Sequence, residues 1–449
     1  MSGPREARPT PALAAVAGAP AGRSLAANVS WLVVATATYS ACQWLIIVVL
    51  TRAASVRSVG QYANALAITA PIVLLAGLQL RDVQATDVRR EYSFGDYLGL
   101  RLVALVGALL AIAVAALVSA PDPEGLWTVG LIGLAKVFES LSDLQYGLLQ
   151  QHERMDRIAQ SLLVRSLLGL AAITAGLALT GSVAVGAGAL ALTWAAAALL
   201  LDRRFVRALP HMDAAGARPR FERKRLLSLA RKTAPLGVVI MLVSLQTNVP
   251  RYFIKQRLGT EDLGVFAAMA SLFIAGGLFV NAVGQSASPR LARAFAARDW
   301  RQFGRALAWM VGGALTLGLG GAGVAALFGR PLLAMFFGAA YAEHSGIFTT
   351  LMFVSGLAYS CSVLGYAMTA ARCFSAQPPL FTAVVLCEIA ACAVLVPRLG
   401  LTGAALAWGL ALAVQCLGAA GILARAVRRH RDAAARVAPR SAEAPSATS

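Results

Sequence analysis

Apolar runs of about 20 residues recur along almost the whole chain, and no other feature narrows its possible folds as much. Inside a bilayer every backbone N–H and C=O must be satisfied within the protein, so such runs become membrane-spanning α-helices. Of the 449 residues, 58% are hydrophobic and 14% charged, where a soluble domain carries about 25% charged residues. Six spans are predicted in the first half, near 28–50, 59–80, 97–119, 126–149, 158–180 and 182–201. Six more follow near 231–253, 263–286, 304–328, 346–371, 378–396 and 401–424. The expected fold is all-α and polytopic, with six-helix bundles over 28–201 and 231–424 joined by a basic linker, 202–230. The arm, 1–27, and the tail, 425–449, are rich in Ala, Pro, Ser and Arg and are expected to be disordered.

The net charge of +19 invites a nucleic-acid reading, but its distribution argues for topology instead. With the N-terminus inside, the arm, the even-numbered loops and the tail hold 30 of the 40 Lys and Arg residues, and the other side holds 7. That asymmetry is the positive-inside rule, and it places both termini in the cytoplasm. The excess basic charge then meets anionic membrane lipid, and no nucleic-acid partner is called for.

Lys136, Glu139 and Asp143 interrupt the fourth span. At 100° per residue they fall within about 60° of one another, with Ser140 and Gly147 on the same face. Ionisable groups in the bilayer core are costly and usually face a partner or a wet cavity, so the stripe predicts a polar interior and hence transport. Catalytic signatures are weak by contrast. Gly318-Leu-Gly320-Gly-Ala-Gly323 matches a dinucleotide fingerprint but lies inside an apolar span, where close helix packing explains it better. The sequence has no P-loop, G-x-S-x-G or H-E-x-x-H, and the loops assigned outside are short. An enzyme is not expected, and neither a cofactor nor a metal is called for. The six cysteines read as small buried hydrophobes.

The halves echo each other. Thr51-Arg-Ala-Ala-Ser-Val-Arg-Ser-Val-Gly60-Gln-Tyr62 matches Lys255-Gln-Arg-Leu-Gly-Thr-Glu-Asp-Leu-Gly264-Val-Phe266, about 204 residues on. Trp194 in the sixth span answers Trp408 in the twelfth, and Tyr146 in the fourth answers Tyr366 in the tenth. Each half crosses an even number of times, so the repeat is parallel, with its axis along the membrane normal. At these residues the chain resembles the polysaccharide-biosynthesis, or oligosaccharide flippase, family, within the superfamily of multidrug-and-toxin extruders and lipid II flippases. Arg251 to Phe266 carries the resemblance most specifically, supported by Ser288-Pro-Arg-Leu, Phe337-Gly-Ala-Ala-Tyr341 and Pro397-Arg-Leu-Gly-Leu-Thr-Gly-Ala404. Family members commonly carry an acid where this chain has Pro250.

The resemblance implies two bundles around a central cavity, alternating access and the bacterial plasma membrane. Its usual cargo is a polyprenyl-pyrophosphate-linked oligosaccharide, for O-antigen, capsule or exopolysaccharide, with polymerases and glycosyltransferases of the same pathway as partners. Pyrophosphate suits arginine, whose planar fork donates two parallel hydrogen bonds. The cavity candidates are Lys136, Arg165, Arg251, Arg52 and Lys255, the last three equally able to snorkel from a span end. Glu139, Asp143 and Glu388 are the candidates for a coupling ion, with Glu388 alternatively a partner for Arg165 or Lys136. Candidate charge inside the membrane is about balanced. A cation-coupled multidrug or metabolite extruder is the alternative, and a membrane glycosyltransferase or assembly scaffold a second.

Overall fold

The computed structural model describes residues 25–87, 90–119, 122–210, 216 and 218–437. Among the described residues there are twelve span-length helical segments. The first six are α1 (Leu25–Ala53), α2 (Val56–Gly77), α3 (Phe94–Ser119), α4 (Pro123–Gln151), α5 (Met155–Thr180) and α6, which begins as Val183–Ala196. The next four are α7 (Arg223–Arg257), α8 (Thr260–Ala296), α9 (Trp300–Phe337) and α10 (Ser345–Ala370). The stretch Gln377–Val437 is continuous except at Gly400, whose φ of 58° is open to glycine and breaks the rod into α11 (377–399) and α12 (401–437). Gly181, with a φ of 69°, ends α5 ahead of α6 in the same way. Among the described residues, nine helices are apolar enough by length and composition alone to cross a membrane. The twelve appear once the Gly400 break, the charge-bearing α4 and α8 are counted. Residues 425–437, expected to be disordered, continue α12 as helix. Most of the N-terminal arm and residues 438–449 lie outside the described residues.

The packing repeats between halves. In the first six helices α2, α3 and α4 pack on one another, α6 packs on α4 and α1 on α5. In the second six α8, α9 and α10 do the same, and α7 and α10 pack on the α11–α12 rod. The halves meet chiefly through α2 on α8, flanked by α7 on α2 and α1 on α8, which is the pattern of a local two-fold axis. The repeated glycines sit on that axis. A Cβ on Gly60 would stand 1.8 Å from the Thr260 carbonyl oxygen, and one on Gly264 2.3 Å from that of Val56. Only hydrogen fits at either place, so the sequence echo is a reciprocal backbone contact. Gly318, from the false dinucleotide motif, lies against Gly356 of α10, where its Cβ would come 2.2 Å from the Gly356 Cα. The motif is a helix crossing.

Candidate functional site

Asp122 begins the site's main helix. Its carboxylate accepts from the Gly125 N–H at 3.0 Å as N-cap, Pro123 follows at the first turn, and α4 then runs unbroken to Gln151. Its charged face opens onto a cavity of about 550 Å³ built by α1 to α5, to which the second half contributes Ile240. Glu139 is the hub. Its Oε2 accepts from Lys136 Nζ at 2.8 Å, and its Oε1 from the Tyr39 hydroxyl at 2.5 Å and from Arg165 Nη2 at 3.4 Å. Arg165 is 4% exposed and packs among the rings of Tyr39, Tyr146 and Trp194, with Lys136 also over Trp194. Aromatic faces attract cations, most strongly where water is excluded. The fourth-span stripe and Arg165, 26 residues apart, are thus one network.

Two further cations complete the cavity, and neither was among the sequence candidates. Leu78 and Gln79 at the end of α2 both adopt left-handed backbone, with φ of 48° and 51°. That conformation is costly for L-residues with side chains and persists only where surrounding packing enforces it. It turns the chain into a short helix, Leu80–Ala85, and sends Arg81 into the cavity. Arg81 Nη1 donates to Asp143 Oδ1 at 3.0 Å. Gly147 gives this short helix room on α4: a Cβ there would meet the Arg81 backbone at 3.1 Å. Arg101 of α3 is 2% exposed, donates to Ser140 Oγ at 2.6 Å and stands 3.8 Å from Asp143 Oδ2. The sequence shows Arg101 as a lone base at the edge of the third span, which is its only signal. Arg81 carries no signal at all, because it reads as a loop residue.

The cavity lining therefore holds Arg81, Arg101, Lys136 and Arg165 against Glu139 and Asp143. Side-chain charge that looked balanced from the sequence is in excess of cation at the site itself.

Four sequence candidates lie elsewhere. Arg52, at the end of α1, donates to the Ala334 and Phe336 carbonyls at 3.1 and 3.2 Å and also to that of Met335, capping the end of α9. Lys255, at the end of α7, donates to the Ser119 carbonyl at 2.5 Å, the end of α3. Each half thus sends a cation to a helix terminus of the other, and neither residue lines the cavity. Arg251 donates to Asn248 Oδ1 at 3.0 Å within α7 and is also outside the lining. Glu388 is fully buried in α11, and among the described residues neither of its oxygens has a hydrogen-bond partner. It pairs with neither Arg165 nor Lys136, both of which are bound to Glu139.

A two-lobed, all-helical bundle with a charged internal cavity is the architecture of a multi-pass membrane transporter. The family model for polysaccharide biosynthesis proteins matches residues 25–295, and the chain belongs to that family. The capsular polysaccharide biosynthesis protein CapF of Staphylococcus aureus is 25% identical over 379 residues, which span 84% of this chain and 94% of CapF. Among solved structures, a multidrug resistance MATE family transporter in its inward-facing conformation superposes with a TM-score of 0.69 at 13% identity, covering 88% of this chain and 96% of that one. Lipid II flippase MurJ in an inward closed conformation gives 0.66 at 12% identity, covering 86% of each chain. These two likenesses establish the fold.

Proposed function

We propose that the protein is a flippase that moves polyprenyl-pyrophosphate-linked oligosaccharide across the bacterial plasma membrane by alternating access, for surface polysaccharide assembly. The observation that carries this reading is the lining of four cations against two carboxylates. An anionic pyrophosphate head is attracted there and a cationic drug is repelled, which separates the proposal from the extruder alternative. Family membership and the likeness to CapF support the pathway.

With the N-terminus in the cytoplasm, the cavity opens toward the inner leaflet, because its walls come from the start of α1 and the ends of α2 and α4. At the far end the Gly60–Thr260 and Gly264–Val56 contacts close the space between the lobes. The lobes, 28–201 and 231–424, would then rock about the α2–α8 contact, with the polar linker on the inner side. Glu139 and Asp143 hold the cavity cations in place, and a coupling proton or sodium ion is assigned to Glu388, whose buried oxygens have no hydrogen-bond partner among the described residues.

Reconstitution into liposomes with labelled lipid-linked oligosaccharide tests the proposal, scoring access of an external reagent to the head group. Each charge-assisted contact to phosphate contributes about 1.5–3 kcal/mol, so Lys136→Ala/Arg165→Ala and Arg81→Ala/Arg101→Ala should each slow transport by at least about tenfold. Wild-type rates for both, at normal protein level, would remove the pyrophosphate assignment.

A further inference from the structure

Two of the six cysteines meet where the α11–α12 rod packs on α10. Cys361 Sγ and Cys416 Sγ stand 2.9 Å apart, although 55 residues separate them in sequence. The contact is reciprocal. Cys361 Sγ donates to the Leu412 carbonyl at 3.3 Å, one turn before Cys416. Cys416 Sγ approaches the Leu357 carbonyl at 3.6 Å, one turn before Cys361. The two helices thus carry their cysteines at one level, each thiol against the backbone of the other helix. Among the described residues no other two cysteines make such a contact.

The first lobe has a different group at the corresponding place. Eight residues beyond the repeat tryptophan, the twelfth span has Cys416 and the sixth has Asp202. Asp202 ends a π-helical turn, Ala197–Asp202, that packs on α4, and it is fully buried. Where the first lobe buries an acid, the second buries a thiol with another thiol beside it. Packing here asks only for small side chains and does not require sulfur on both helices. A disulfide holds its sulfurs about 2.05 Å apart, so this pair needs to close by less than about 1 Å. Cys361 is 5% exposed and Cys416 is half-buried, which makes Cys416 the thiol that an oxidant meets first.

From this geometry we infer that Cys361 and Cys416 are an oxidisable dithiol, which hydrogen peroxide converts to a disulfide that fastens α10 to α12. In the first step the Cys416 sulfur attacks a peroxide oxygen. The O–O bond breaks, an S–O bond forms, and the thiol proton leaves with the departing oxygen as water. Cys361 then attacks the sulfenic sulfur of Cys416. The S–S bond forms, the S–O bond breaks, and the Cys361 proton leaves with the hydroxyl as a second water. Two electrons pass from the sulfurs to the peroxide. Apolar surroundings slow the first step, because the thiolate is the nucleophile. The second step is intramolecular between groups already in contact, so it outruns further oxidation of Cys416. The link lies inside one lobe and leaves the α2–α8 contact alone, so the inference does not rest on the flippase reading.

Treatment of the purified full-length protein in detergent with hydrogen peroxide tests the inference. Free thiols are alkylated after denaturation, and the monomer is mapped by mass spectrometry. The wild type should yield a peptide link between Cys361 and Cys416 that a reductant removes after denaturation. Closing a loop of 55 residues should also raise Tm by about 4 °C or more. Cys361→Ser should form no link, show no rise in Tm, and carry Cys416 on to the sulfinic acid, since the resolving thiol is gone. Absence of a link in the wild type, sulfinic acid at its Cys416, or a link from either residue to another cysteine overturns the inference. A link with unchanged Tm overturns the fastening of α10 to α12. If Cys361→Ser does not accumulate, the wild-type map and its Tm decide.

Discussion

Helices α4 and α10 hold the same place in their respective lobes, yet one is a charged wall and the other a packing surface. Aligned on Tyr146 and Tyr366, Lys136, Glu139 and Asp143 of α4 stand where α10 has Gly356, Tyr359 and Val363. Gly356 receives Gly318 of α9 in close contact, and Tyr359 donates to the Phe273 carbonyl at 2.7 Å. The two repeat tryptophans differ in the same sense. Trp194 lies under Lys136 and Arg165, while Trp408 packs on Phe273. One backbone plan therefore tolerates either solution, an ion network on α4 or a close helix crossing on α10. Among the described residues the ion pairs that line a cavity lie in the first lobe, while the second buries neutral polar groups such as Gln246 and Gln415 and the unpartnered carboxyl of Glu388. A parallel repeat thus accommodates unequal surfaces, a charged cavity wall in one lobe and a close helix crossing at the same place in the other.

That contrast can be broken in graded steps. Glu139→Leu should do most damage, since it strands Lys136, Arg165 and Tyr39 together. Removing one member of a buried ion network costs about 3–5 kcal/mol, read as a lower unfolding midpoint in detergent. Gly264→Val comes next. A side chain there collides with the Val56 carbonyl, and overpacking of this kind costs about 1–3 kcal/mol. It should also raise labelling of a cysteine introduced at Ala63, buried near that contact, by a membrane-impermeant maleimide added outside. In the second lobe, Tyr359→Phe removes one hydrogen bond and should cost about 1 kcal/mol, well below the Glu139 value. Equal losses for Tyr359→Phe and Glu139→Leu would erase the distinction between lobes. Arg52→Ala should be smallest, about 0.3–1 kcal/mol, because an exposed cation at a helix terminus contributes no more. Its effect should shrink further in high salt, whereas that of Glu139→Leu should not.

Much of the site was legible because helical periodicity is a local property. Spacing of three and four residues puts Lys136, Glu139, Ser140 and Asp143 on one face wherever α4 is placed, and burial of that face follows from its charge. The same logic does not reach Arg81. Its direction depends on two left-handed residues, Leu78 and Gln79, that are held by packing rather than by their own preference. Asp202 was hidden for a related reason. It borders a run of arginines and reads as the start of a linker, until one π turn carries it into the core. Arg52 and Lys255 were read correctly as residues at span ends. Their partners come from the opposite lobe, more than a hundred residues away, so no local pattern could show them as caps on α9 and α3.

By itself the sequence determined the membrane class, the number of spans, the parallel repeat and the face of α4 that must be polar. Each follows from hydrophobic length, charge placement or helical period, which are properties of a segment and its solvent. Tertiary structure alone decided which cations share the cavity, which cap helices across the lobes, and where the chain bends to bring them there. Those outcomes depend on which neighbour can satisfy a buried charge, and that neighbour is chosen only when the helices pack.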